Sequence, residues 1–368
     1  MGETGLACLS NTKLVCVPIL RGGYRAAMAT STRRTVPWDR PLLAACLAPL
    51  GLVYRFVMFC RRRLYAMGVL TSHDLGVPVL SVGNLTVGGT GKSPMIDALL
   101  TRIAAQGKRA MVLSRGYGAA IDLEGVILND EGHMLRRKHP EHVHVQGVNR
   151  VAAAQHALRS ENVDVVLLDD GAQHLRVRRD CDLLLFDGGE LIAPMRCLPA
   201  GPWRESVTSV RSASLAIVTG RFADEGVAIL RELQISEVVV ALRIPQRTTS
   251  LDGSDPADLE KTNGARVGLV SAIGRPDSFR RTAIAAGFKV EWCLDFADHD
   301  ALSRSALKTV DSMFESNPVD FLLTTSKDAV KLTESALSWR VLEIDLEFAH
   351  GWGPIDSLLE DMIGGRRA

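Results

Sequence analysis

Val79-Leu80-Ser81-Val82, a short apolar run, opens directly into Gly83-Asn84-Leu85-Thr86-Val87-Gly88-Gly89-Thr90-Gly91-Lys92-Ser93-Pro94. Few segments restrict a fold so tightly. A glycine-rich turn between a strand and a helix lets successive backbone N–H groups converge on phosphate oxygens at the positive end of that helix. The lysine of Gly-Lys-Ser reaches the outer phosphates, and the serine hydroxyl is a ligand for Mg2+. Thr86, Val87, Gly88, Gly89, Thr90, Gly91, Lys92 and Ser93 are therefore the candidate nucleotide-binding residues. The usual P-loop pattern carries glycine where this chain has Thr86. A tight strand-to-helix connection is the plainer alternative, and the Gly-Lys-Ser ending weighs against it.

The rest of the chain alternates short β-branched runs with helical stretches. Residues 77–82, 110–113, 142–145, 163–168 and 182–186 read as strands, with helices over 94–106 and 150–160. A second set of strands follows at 237–242, 266–271, 289–294, 321–324 and 341–344, with a helix over 277–286. Near-continuous apolar strands separated by helices indicate a parallel sheet covered on both faces. The expected fold is α/β, a P-loop NTPase-type parallel sheet domain with a second, smaller α/β domain and an N-terminal membrane-associated helix. At 368 residues two domains are natural. The boundary is expected between Gly220 and Val240, giving domains of 67–225 and 226–368.

Forty-three basic and 42 acidic residues nearly cancel, and aromatic residues make up only 5%. Neither a phosphate-backbone footprint nor a base-stacking surface is expected, so nucleic acid is not a partner. Seven scattered cysteines with no CxxC pair read as reduced thiols.

Pro41 to Cys60 form an apolar segment interrupted only by Arg55 and closed by Arg61-Arg62-Arg63. Pro49, Gly51 and Arg55 make it marginal as a membrane span. An interfacial helix over 37–66 fits better, with Arg55 and Arg61 to Arg63 meeting anionic headgroups. A buried first helix of the globular domain is the alternative. Residues 1–36 contain Glu3 as their only acid among scattered Arg, Ser and Thr. They read either as a transit peptide or as an extension upstream of a true start at Met28.

Ligands of parallel sheets gather where the strands end at their carboxyl side. After the strand at 163–168 come Asp169-Asp170-Gly171-Ala172-Gln173-His174. Carboxylates at a strand tip beside a P-loop are metal ligands, directly or through water. An Asp-Gly turn is the plainer reading, but two adjacent carboxylates facing phosphate charge favour an intervening cation. His139, His142 and His144 invite a metal reading too. Alternation along a strand explains them more simply, because no acidic or Cys partner completes a set.

Taken in order, the motifs resemble the tetraacyldisaccharide 4′-kinase family of lipid A biosynthesis. Its members carry GN(L/I)TxGGxGK(T/S)P, SRGYG, a GDEP-like segment, DDGxQH, LPAGPxRE, ADH and TEKDAVK. Here these read Gly83 to Pro94, Ser114 to Gly118, Asn129 to Gly132, Asp169 to His174, Leu198 to Glu205, Ala297 to His299, and Thr325 to Lys331. Asn129 and Gly132 replace the flanking Gly and Pro of the GDEP-like segment, and Ser326 stands where Glu is usual.

The resemblance implies transfer of the γ-phosphate of ATP to the 4′-hydroxyl of a lipid-linked glucosamine disaccharide 1-phosphate. It implies Mg2+ held by Ser93 with Asp169 or Asp170, Glu131 contributing. Asp130 becomes the catalytic base, paired with His299, and Lys92 holds the triphosphate. A histidine beside a carboxylate raises the pair's effective basicity. Arg150, Gln173, His174 and Glu205 are expected against substrate or phosphate. The lipid acceptor places the enzyme on the cytoplasmic face of the inner membrane, peripheral or monotopic. Other P-loop proteins remain as alternatives: a MinD-like ATPase wants Lys at position 87, a metallochaperone GTPase wants Asn-Lys-x-Asp, and a membrane-docked nucleotide sensor needs no acceptor.

Overall fold

The computed structural model describes residues 15–16, 36–116, 119–121, 127–220, 222–235, 237–297, 300–332 and 337–365. They fall into two compact units, Arg34–Ile244 with Asp345–Ala368, and Met1–Arg33 with Pro245–Ile344. The chain therefore divides after Ile244 and not at 226, and its last residues rejoin the first unit. The crossing point lies inside a 12-residue strand, Val238–Thr249. A boundary within a strand has no Gly/Pro-rich linker to announce it.

The first unit opens with helix α1 (Pro41–Ala66). Pro41 sits at its first turn, where the missing N–H costs nothing. Ala44 and Gly51 are its only buried residues, whereas Leu42 is 85% and Phe56 65% exposed. The expectation of a buried first helix is thereby excluded. By length and composition α1 is apolar enough to cross a membrane. The unit continues β1 (Val79–Gly83), α2 (Lys92–Ala105), β2 (Ala110–Ser114), α3 (Asp130–Lys138), β3 (Val143–Gln146), α4 (Arg150–Ala157) and β4 (Val165–Asp169). It then adds β5 (Cys181–Asp187), α5 (Gly188–Ile192), β6 (Leu215–Thr219), α6 (Ala223–Glu232) and β7 (Val238–Thr249). The strands lie in the order β3-β2-β4-β1-β5-β6-β7, every neighbouring pair parallel. β6 is a strand that sequence reading missed. Its five residues are all buried between Ser214 and Gly220, too short for a periodicity to show.

The strand order reverses around β1, so the crevice at its carboxyl end is where a doubly wound sheet binds ligand. Register sharpens this. Val82 lies opposite Asp169, and Gly83 opposite Leu184. A Cβ on Gly83 would come within 2.7 Å of the Ala172 backbone nitrogen, so only glycine lets the two loops touch. Beneath them Met95, Ile96, Leu99, Leu100 and Ile103 of α2 pack on one sheet face with Leu80 and Val82. Phe186, Trp203, Val218 and Leu230 fill the other.

The second unit carries β8 (Arg266–Ser271), α7 (Pro276–Ala285), β9 (Lys289–Asp295), α8 (Arg304–Ser316), β10 (Phe321–Thr325) and β11 (Trp339–Phe348). Its order β9-β8-β10-β11 is parallel, and Val15–Cys16 adds an antiparallel pair at β9. Asp328, in the single turn after β10, is 0% exposed. It accepts from the Ala272 amide at 3.0 Å, the Thr325 hydroxyl at 2.9 Å and Lys331 at 3.1 Å.

Helix α9 (Gly353–Ile363) returns to the first unit and buries Ile355, Leu359 and Met362 against the α2 face. Each such side chain is worth roughly 1.5–3 kcal/mol. Arg102 of α2 donates to both oxygens of Asp356, at 2.7 and 2.9 Å, and its guanidinium stacks 3.9 Å over Trp352.

Candidate active site

The loop after β1 is held before any phosphate arrives. Gly91 caps α2 in the left-handed region at φ 100°, which glycine adopts without strain. Lys92 donates to the Asn84 side-chain oxygen at 3.1 Å, and the Asn84 amide nitrogen donates to the Gly88 carbonyl at 3.3 Å. A strut formed by Leu198 to Glu205 supports the loop from outside. The Val87 amide donates to the Pro202 carbonyl at 2.8 Å and the Arg204 amide to the Leu85 carbonyl at 2.7 Å. Thr86 is 0% exposed, and its hydroxyl donates to Glu190 at 2.5 Å.

The Thr86 side chain and the Val87 N–H, assigned to the nucleotide from the sequence, are committed to the support instead. Threonine replaces glycine at position 86 because its hydroxyl has a buried partner. Thr90 is buried as well, its carbonyl accepting from Thr219 at 3.3 Å.

At the tip of β4 the two carboxylates differ. Burial foremost, then the charges of Glu131 and Asp170, push the Asp169 carboxyl up to about 7. Burial also works to raise Asp170, but Lys92 and Arg204 outweigh it and hold that carboxyl below its ordinary range. Lys92 lies 3.5 Å from Asp170, and Arg204 donates to both its oxygens at 3.1 Å. Asp170 adopts φ 48°, a left-handed conformation that costs a non-glycine residue about 1 kcal/mol or more.

Arginines fix that conformation. Arg150 donates to the carbonyl of Asp170 at 3.2 Å, Arg179 to those of Gly171 and Ala172 at 3.1 and 3.3 Å, and Arg62 to that of Ala172 at 3.4 Å. Arg61 donates to the Gln173 carbonyl at 3.1 Å. Four consecutive carbonyls therefore each meet a guanidinium. Gln173 bridges onward, donating to the Asn84 carbonyl at 3.1 Å and accepting from Arg204 at 3.2 Å.

Several assignments change in consequence. Arg150 is buried behind the loop. Arg61 and Arg62 donate to the Gln173 and Ala172 carbonyls. Glu205 is 1% exposed and pairs with Arg62 at 2.8 Å, so it anchors α1. Burial first, then the charges of Arg150, Arg176, Arg61 and Arg179, push His174 down to about 4, leaving it a neutral imidazole. Its Nε2 is buried with no hydrogen-bond partner among the described residues. Asn84, Glu190, Arg179 and Arg204 escaped sequence reading, although Arg204 stands beside Glu205 in the same motif.

Asp130 and Glu131 occupy the first turn of α3, where the helix dipole favours negative charge. Asn129 caps that helix, accepting from the Gly132 amide at 2.9 Å, and is itself fixed by Gln146 at 2.7 Å. Glu131 and Asp169 line one small cavity with Ser114, His144 and Gln146. Asp298 and His299, together with Tyr117 and Gly118, lie outside the described residues.

The histidine patch has the acidic neighbours that sequence reading denied it. His139, Glu141 and His142 lie together, and His139 Nε2 bonds Asp97 at 2.6 Å. His142 nevertheless accepts from the Ala110 amide through Nδ1 and donates to the Leu100 carbonyl through Nε2, so neither nitrogen has a lone pair for a metal. The patch is structural. Nor does it follow strand alternation: of the three, only His144 lies within β3.

A parallel sheet with a braced glycine loop at its switch point, a lysine and paired strand-tip carboxylates define a P-loop nucleotide-binding protein. The family model described as Tetraacyldisaccharide-1-P 4′-kinase matches residues 43–363. Curated tetraacyldisaccharide 4′-kinases are similar throughout. That of Syntrophotalea carbinolica is 33% identical over 340 residues, 89% of this chain and 94% of the relative. That of Shewanella amazonensis is 35% identical over 310 residues, 81% and 86% of the two chains. A crystal structure of "apo" form LpxK from Aquifex aeolicus in complex with ATP superposes with a TM-score of 0.70 at 24% identity, covering 87% of this chain and 99% of that one. The chain belongs to the tetraacyldisaccharide-1-P 4′-kinase family.

Proposed function

We propose that this chain transfers the γ-phosphate of ATP to the 4′-hydroxyl of a tetraacylated glucosamine disaccharide 1-phosphate. Family membership supports the reaction. The observation that carries it is the cluster of Lys92, Asn84 and Asp170 at the ends of β1 and β4. The backbone from Gly88 to Ser93 and the Lys92 ammonium hold the triphosphate. The sugar oxygen bonds to the γ-phosphorus as the bond to the ADP oxygen breaks, and Asp130 accepts the hydroxyl proton. The resemblance gives His299 as its partner.

Ser93, Asp169 and Asp170 form an all-oxygen set suited to Mg2+. Burial foremost, with the charges of Glu131 and Asp170, raises the Asp169 carboxyl despite Lys92 and Arg150, and a cation bound there would offset that negative charge. Bound there, the ion supplies charge neutralisation for the transferring phosphoryl group.

The exposed apolar residues of α1, among them Leu42, Leu52, Val53 and Phe56, support an interfacial helix. A lipid acceptor and a soluble nucleotide meet where such a helix rests on the cytoplasmic surface of the inner membrane.

The test is ATP-dependent phosphorylation of the tetraacylated disaccharide 1-phosphate in detergent micelles by wild type, Lys92→Ala, Asp130→Ala and His299→Ala. Lipid phosphorylation that requires all three residues is expected. Nucleotide binding without lipid phosphorylation in any condition overturns the reading.

A further inference from the structure

Basic residues closing an apolar helix are ordinarily assigned to anionic headgroups. In α1 the three arginines have different environments. The Arg63 guanidinium lies 5.3 Å from the Phe59 ring and that of Arg61 5.3 Å from the Tyr65 ring, both rings on α1 itself. Arg61 and Arg62 reach across more than a hundred residues of sequence to the loop bearing the strand-tip carboxylates.

We propose that Arg61 and Arg62 are positioning residues of the phosphoryl transfer, holding the Ala172 and Gln173 carbonyls and through them Asp170 and the start of the glycine loop. The inference rests on the kinase reading above. Arg61 donates to the Gln173 carbonyl at 3.1 Å, and the Gln173 side chain in turn holds the Asn84 carbonyl at 3.1 Å and Arg204 at 3.2 Å. Asn84 accepts from Lys92, and Arg204 holds both oxygens of Asp170. Arg62 meets the Ala172 carbonyl while its remaining nitrogens are fixed by Glu205 at 2.9 Å and Ser212 at 3.0 Å. The anchor is rigid because Glu205 is buried and the guanidinium is planar, presenting several donors at once. Asp170 keeps its left-handed backbone only while its neighbours determine it. Releasing the 172–173 carbonyls would let that backbone relax and carry the carboxylate off the metal position. The end of α1 is thus part of the active-site frame.

Arg61→Ala is the decisive variant, because its partner is a neutral carbonyl and no buried charge is orphaned. Three readouts separate positioning from surface binding: kcat and lipid KM in saturating detergent micelles, the Mg2+ concentration for half-maximal rate, and retention on vesicles containing anionic lipid. Arg61→Ala should lower kcat about tenfold and raise the Mg2+ requirement several-fold, with lipid KM and vesicle retention within twofold of wild type. Arg61→Lys, which keeps one donor, should recover much of the loss. Arg62→Ala should behave alike, and Arg62→Lys reports on it if loss of the Glu205 partner unfolds the alanine variant. Arg63→Ala should lower vesicle retention. If Arg61→Ala loses vesicle retention and regains wild-type kcat and Mg2+ dependence in micelles, Arg61 is a headgroup contact and the proposal fails. Wild-type behaviour in all three readouts also refutes it. A wild-type enzyme that phosphorylates no lipid refutes the kinase reading instead.

Discussion

Aspartates stand at the carboxyl ends of parallel strands in both units, and the two places are treated oppositely. Asp328 is sealed, its oxygens satisfied by an amide, a hydroxyl and a lysine that is itself nearly buried. The Asp170 and Gly171 carbonyls are braced from behind by arginines, while the Asp169 carboxyl is buried and crowded by Glu131 and Asp170. Both follow strand tips and both stand in motifs of the family. Asp328 uses its charge to close the structure around it; of the other two, Asp170 is held by Lys92 and Arg204, whereas Asp169 is crowded by Glu131 and Asp170. Position at a strand end does not by itself distinguish a staple from a site, whereas the balance of partners does.

The comparison breaks most visibly at Lys92. Lys92→Ala should cut kcat/KM by about 10³ or more while leaving the thermal unfolding midpoint almost unmoved; parallel rate and melting measurements check this. Asp328→Ala should do the reverse, costing roughly 3–5 kcal/mol in denaturant unfolding, since it strands the buried Ala272 amide and breaks the buried ion pair with Lys331. An Asp328→Ala protein as stable as wild type would dissolve the contrast.

Asp169 sharpens it through pH. Its folded pKa lies above the unfolded value, so the native state holds a proton that the unfolded chain releases. Stability therefore falls as pH rises from about 4 through about 7. In the absence of nucleotide and Mg2+, Asp169→Asn should stabilise the protein at pH 8 by roughly 1–3 kcal/mol, the gain vanishing towards pH 4. Added Mg2+ and ATP should reverse the sign, because only the carboxylate serves the cation. The smallest effect is expected at Thr325, whose side chain accepts from the Asp328 amide. Thr325→Ala should cost roughly 1 kcal/mol and Thr325→Ser almost nothing in the same unfolding experiment.

Local chemistry was legible in the sequence. The glycine loop, the strand bearing Asp169 and the apolar character of α1 all follow from runs a few residues long. What stayed hidden depends on contacts far apart along the chain. The sequence shows Arg61-Arg62-Arg63 as one basic cluster, yet two of the three turn towards a loop 110–112 residues away. Glu205 could be singled out as a polar residue in a specific motif, but its partner on α1 could not. Thr86 looked like a departure from a phosphate-binding pattern until Glu190 appeared beneath it. The division after Ile244 was hidden because β7 continues through it with unbroken strand character.

The return of residues 345–368 to the first unit bears on the order in which the protein is made. The glycine loop and its helix leave the ribosome early, but α9, which covers the α2 face and clasps Arg102, is among the last segments translated. At ordinary elongation rates the intervening second unit takes on the order of ten seconds to synthesise. Three buried side chains on α9 represent a large part of a typical net stability of about 5–15 kcal/mol. The nucleotide-binding unit thus completes its core only after residues 245–344 of the second unit have been made, with α1 already translated and available to a lipid surface.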